Sequence, residues 1–204
     1  FVIFETLNAR GKDLETADLL KNYFFSKNPS NIDVSQRKWD NMIRDLGNED
    51  PTKYIRHDWN SRHALTREKE LYRTINDSIT NKKESKELLD DLSNLAKLYH
   101  DIADPYEATM FSNDSLISSL RVLKDLKAKS FYPIFLALGS SDKFDHKDYA
   151  RVASKIETHV FRNATICGRT ANTTEKFFSK IANDIYGEEL ETTTEICDTK
   201  KSGS

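Results

Sequence analysis

SKELLDDLSNLAKLYHDIA, residues Ser85 to Ala103, sets Leu88, Leu92, Leu95, Tyr99 and Ile102 on one stripe and leaves its charges for the opposite face. Spacings of three and four residues are the helical period, because side chains at those separations stand one above another. Asp104-Pro105 ends the run, since a residue before proline is pushed out of the helical region. The same signature recurs on both sides. Upstream, Trp39, Met42, Ile43 and Leu46 repeat helically and Gly47 closes them. Asp50-Pro51 then opens a helix carrying Tyr54, Ile55 and Trp59, and Leu71, Tyr72, Ile75 and Ile79 mark another. Downstream come Leu116, Leu120, Leu123 and Lys127, then a short buried helix over 131–138 that contains Pro133 and stops at Gly139. Two more follow, on Tyr149, Val152, Ile156 and Val160 and on Phe177, Phe178, Ile181 and Ile185, the second closed by Gly187. The expected fold is mainly α, a multi-helix bundle or array of about nine helices with one short N-terminal strand. Residues 28–187 form its helical domain, and 188–204, with Glu188, Glu189, Glu191 and a threonine run, read as a flexible or truncated tail.

Composition narrows the function classes. The 204 residues are 37% hydrophobic and 31% charged, which suits amphipathic helices around a sizeable core. With 31 Lys+Arg against 33 Asp+Glu the net charge is -2, so any contact with nucleic acid must use a local patch. Cys167 and Cys197 are too far apart in sequence for a CxxC motif, which points to a reduced, cytoplasmic setting. No apolar run approaches the ~20 residues that span a bilayer.

Two basic stretches are candidates for phosphate contact. Lys53 to Arg73 gathers Arg56, Arg62, Arg67, Lys69 and Arg73 with His57, His63 and the aromatics Tyr54, Trp59 and Tyr72. Phosphate contact with base stacking needs this interleaving. The plainer reading is that the aromatics face the core while the basic residues solvate the outside. Arg162, Arg169, Lys176 and Lys180 form a second, weaker patch around the Gly168 turn. His57, His63, His100, His146 and His159 lack carboxylate or cysteine partners at ligand spacing, so no metal site is expected. Catalytic motifs such as GxSxG or a P-loop are absent too.

The opening stretch, FVIFETLNARGKDLETADLLKNYFFSK, residues Phe1 to Lys27, carries the most specific pattern. An apolar run over Phe1 to Phe4 leads through a polar turn into helical spacing from Leu14, with Asp13 placed to cap the helix. Backbone N–H groups at that helix start, with Arg10 beside them, would favour an anion such as phosphate. Beginning inside a strand pattern, the chain reads as a piece of a longer protein.

The string F-E-x-L-N-x-R-G-x-x-L-x-x-x-D-L-L-K-N, from Phe4 to Asn22, resembles the domain of unknown function 262 family, the GmrS half of GmrSD-type modification-dependent restriction systems. Phe161, Arg162, Gly168, Asn172 and Phe177 resemble a stretch near the end of that family's helical region. The resemblance implies that residues 1–27 are the edge of a nucleotide-type domain similar to the ParB and sulfiredoxin fold, with Asn8, Arg10 and Gly11 near a nucleotide or phosphate. It also implies NTP-dependent restriction of modified foreign (phage) DNA by the whole protein, with an NTP and a divalent metal as its cofactors. The D-G-Q-Q-R motif and the H-N-H type nuclease motif of that family are both missing from this sequence, so these residues are not expected to catalyse or to hold a cofactor themselves. The expected role is a helical coupling or scaffold region. Its partners would be DNA, through Arg56, Arg62, Arg67, Lys69, Arg162 and Arg169, and itself or a nuclease domain or subunit. The alternative is a protein-interaction or oligomerisation domain without DNA contact, in which Trp39 or Trp59 would be buried on association.

Overall fold

In a computed structural model, which describes residues 15–162 and 171–199, those residues fold into ten α-helices and no strand. They are α1 (Thr16–Lys27), α2 (Ile32–Leu46), α3 (Pro51–Arg62), α4 (Leu71–Ser78), α5 (Lys82–Ala103), α6 (Asp114–Asp125), α7 (Tyr132–Gly139), α8 (His146–Arg162), α9 (Ala171–Tyr186) and α10 (Thr193–Asp198). Short 3-10 turns at Pro29–Asn31 and Glu68–Glu70 lead into α2 and α4. The strand expected at Phe1 to Phe4 and the cap expected at Asp13 lie outside the described residues.

Local chemistry sets several of the helix ends. Asp50 caps α3 by accepting from Thr52 N at 2.8 Å and Lys53 N at 3.3 Å, with Pro51 in the first turn, where its missing N–H costs nothing. Asn81 caps α5 and Asn113 caps α6 in the same way. Helix α1 begins at Thr16, two residues later than its spacing predicts, and its N-cap Glu15 makes no side-chain bond. The Ala17 N–H donates instead to Thr52 Oγ1 on α3, at 3.2 Å. A tertiary partner thus satisfies a donor that the helix leaves open. Gly47 closes α2 at φ +59°, a conformation that glycine adopts without strain. After α9 the positive φ falls on Glu188, at +62°, rather than on Gly187.

Helix α7 is the centre of the packing. All residues from Tyr132 to Leu138 are buried, and α7 meets α3, α5 and α9. A helix apolar all round is stable only when enclosed in this way, and burying each Phe, Leu or Ile side chain contributes about 1.5–3 kcal/mol. Around it, α2 lies along α5, α6 packs on α8, and α1 bridges α2, α3, α4 and α5. Gly139 lets the end of α7 approach α5, since a Cβ there would run into Leu98. The buried apolar residues form one continuous cluster from Ala17 to Ile196.

Two expectations need amending. Residues Thr193–Asp198, within the stretch read as loose, form a helix that packs on α8; a Thr192/Glu195 capping box holds it and Ile196 is buried. Trp39 and Trp59 are 4% and 2% exposed in the single chain, so neither is left to be buried by association.

Candidate functional site

The C-terminal half of α3 meets α9 along a seam of polar side chains. Arg56 and Asn60 are four residues apart and share one face of α3, and Glu175, Ser179 and Asn183 repeat at the same interval on α9. The Asn60 carbonyl lies in the last turn of α3, where backbone acceptors lack an intrahelical donor. It accepts from Ser179 Oγ at 2.9 Å and from Asn183 Nδ2 at 2.9 Å, so α9 caps α3 from outside. The Asn60 side chain holds the chain that leaves the helix: its Oδ1 accepts from Thr66 N at 2.8 Å and its Nδ2 donates to Thr66 O at 3.3 Å. Arg56 joins both groups, donating from Nε to Thr66 O at 2.8 Å and from Nη2 to Glu175 Oε1 at 2.7 Å.

One turn further along, Arg62 sits between two carboxylates. Its Nη2 is 2.7 Å from Asp58 Oδ1 and its Nη1 is 2.5 Å from Asp91 Oδ2 on α5, and the guanidinium lies 5.0 Å from the centre of the Tyr186 ring on α9. Asp58 is fully buried and the Arg62 side chain is 6% exposed. Burial raises the Asp58 carboxyl pKa while Arg62 pulls it back. Burial works against the Arg62 charge, but Asp58 and Asp91 outweigh it and hold the guanidinium protonated. Trp59 stacks on His63, with ring centres 3.9 Å apart.

Beneath the seam lies a neutral aromatic group. His57 Nδ1 is 3.0 Å from Tyr99 OH, Tyr132 stands edge-on to both rings, and Tyr54 OH donates to Leu92 O at 2.6 Å. Burial, with Arg56 adding to it, pushes His57 down to about 3, so the ring is uncharged near neutral pH. Burial raises the Tyr54, Tyr99 and Tyr132 hydroxyls well above their ordinary range.

These positions sort the sequence candidates. Arg56 and Arg62 come together on α3, but both guanidiniums are engaged in ion pairs within the fold. Arg67 and Lys69 are exposed at the 3-10 turn, and Arg162 is exposed at the end of α8. Asn8, Arg10, Gly11 and Arg169 lie outside the described residues. Tyr54 and Trp59 belong to the core and Tyr72 is half-buried, so the two larger buried aromatics are not stacking platforms for bases. His146 and His159 rest against aromatic rings, on Phe111 and Phe177 respectively.

Glu175, Ser179 and Asn183 lie outside the residues that the sequence marks as candidates. Their four-residue interval was legible, but their partners on α3 are more than a hundred positions away. Among the described residues no group of three His, Cys, Asp or Glu side chains is placed to hold a metal ion, and no helix is long and apolar enough to cross a membrane. The Ser179 hydroxyl donates to a carbonyl rather than to a base. What the arrangement does chemically is hold three helices in register through charge and hydrogen bonds. No family model, curated protein or solved structure matches the chain.

Proposed function

We propose that this helical body is the coupling and scaffold region of a protein resembling NTP-dependent restriction endonucleases that act on modified foreign DNA, and that it is not itself the catalyst. The observation that carries this reading is the position of α3. That helix packs against α1, which contains Asp18 to Asn22 of the opening family string, and against α9, which contains Phe177 of the second. A shift at either end would therefore be felt at the other through one rigid element. NTP and divalent-metal chemistry belongs to other parts of the parent protein in this reading. DNA contact uses the exposed Arg67, Lys69 and Arg162. Assays of NTP hydrolysis and DNA nicking test it: the 204-residue chain is expected to do neither, and turnover by this chain would refute the proposal. Duplex binding is expected to be weak and to fall steeply with salt, whereas tight, salt-independent binding would count against phosphate contacts.

A second reading, a protein-interaction or oligomerisation domain without DNA contact, draws support from the internal pairing of Arg56 and Arg62 and from the exposure of Tyr106, Val122 and Leu126, at 54%, 36% and 40%. A dimer that persists at high salt and dissociates on Leu126→Lys substitution would favour it.

A further inference from the structure

We propose that the Arg56–Glu175 ion pair is the closed form of a phosphate site, in which the Glu175 carboxylate occupies the place that a nucleic-acid phosphate oxygen takes on Arg56. This rests on the reading of the region as one that engages DNA, and it adds a gate to that contact. Carboxylate and phosphate oxygens make the same short, charge-assisted bond to a guanidinium, so one can replace the other without rebuilding the site. Arg56 is oriented before any ligand arrives, because its Nε is fixed on Thr66 O at 2.8 Å.

Accessibility separates Arg56 from its neighbour. The Arg56 and Glu175 side chains are 15% and 25% exposed, so a surface anion can reach the pair, whereas Arg62 is 6% exposed and held by two carboxylates. Cations from both basic stretches stand next in sequence to residues of this pair and its Thr66 anchor. Arg67, exposed, directly follows Thr66; Lys69 is exposed one turn on; and Lys176, exposed, directly follows Glu175. Glu68 and Glu70 are exposed in the same turn and oppose an anion, so Glu175 neutralises Arg56 in a surface whose net attraction is already small. Displacing it is the step that turns scattered cations into a phosphate-binding surface.

The test is Glu175→Gln, which keeps the shape and a hydrogen-bond acceptor but removes the charge. Binding of a short fluorescent DNA duplex to the 204-residue chain is measured at about 50 and about 200 mM salt. One added phosphate contact steepens the salt dependence, so E175Q is expected to bind more tightly at low salt and to lose about 3.5-fold more affinity than the parent over that range. Adding Arg56→Gln to E175Q is expected to return the slope to the parental value. Parental affinity and slope in E175Q would overturn the gate while leaving DNA contact through Arg67 and Lys69 standing, if the parent binds. Failure of both proteins to bind duplex would overturn the gate and the DNA reading together. Binding of ATP by E175Q without binding of duplex would assign the site to free nucleotide and overturn the nucleic-acid assignment.

Discussion

Replacing Arg62 by methionine removes the cation that lies between Asp58 and Asp91 while keeping most of the apolar stem. In the parent protein Asp58 is fully buried, its Oδ1 is 2.7 Å from Arg62 Nη2, and its Oδ2 has no hydrogen-bond partner. The carboxylate therefore depends on Arg62 for nearly all its compensation. Stranding one member of a buried ion pair costs about 3–5 kcal/mol, far more than the 0–1 kcal/mol of an exposed pair. The Tyr186 ring and the half-exposed Asp91 lose a contact as well, but both can reach water. For a protein of this size about 4 kcal/mol corresponds to a fall in Tm of roughly 8–16 °C. Urea unfolding followed by tryptophan fluorescence and by helical circular dichroism measures the loss. The Asp58→Asn/Arg62→Met double variant is expected to recover at least half of it, because the uncompensated charge is then gone. The sign of the pH dependence follows from the raised Asp58 pKa. Stability tied to that group is fully present below its unfolded value and is lost as pH rises through its folded value. Arg62→Met raises that pKa further, so the variant is expected to be least impaired in acid. A loss below about 1 kcal/mol, or a double variant no more stable than R62M, would refute the argument that the pair is buried and mutually dependent.

His57 has its pKa lowered to about 3, so its stability contribution is complete above the unfolded value of 6.5 and declines by about 1.4 kcal/mol per pH unit as pH falls between the two; His57→Gln is expected to flatten that part of the acid-unfolding profile. Asp101 is buried and its Oδ2 accepts from Thr109 N at 2.6 Å and Met110 N at 2.7 Å, while Lys97 lies 2.8 Å from its Oδ1. Asp101→Ala is expected to lower stability by about 3 kcal/mol and to speed amide exchange at Thr109 and Met110 first. Gly47→Ala places a Cβ at φ +59° and 3.2 Å from the His100 ring, and should cost about 1–3 kcal/mol in thermal unfolding with helix content unchanged in the folded state.

The helices were legible because their signals are local. The stripe Leu88, Leu92, Leu95, Tyr99 and Ile102, the Asp50-Pro51 start and the Gly47 stop each need only neighbours within a turn or two, and all appear in the fold. The short apolar run over 131–138 predicts a buried helix, and α7 is one, but its place at the centre is not in the run itself. It follows from α3, α5 and α9 closing around it. At two helix starts a tertiary contact adds to the local chemistry. Thr52 supplies an acceptor at the start of α1, and burial of Ile196 holds against the core the short helix that the Thr192/Glu195 capping box starts.

The candidate site divides in the same way. Composition alone determined that this chain has no bulk attraction for nucleic acid and that any contact is a patch of named cations. Which cations remain available was decided by the tertiary structure. Arg56, Arg62, Arg67 and Lys69 are equivalent as letters in one basic stretch, yet the first two face carboxylates on α3, α5 and α9 and the last two face solvent. Charge is a property of the residue, but whether it is neutralised depends on what the fold places within about 3 Å of it, and that partner lies 119 positions away for Arg56.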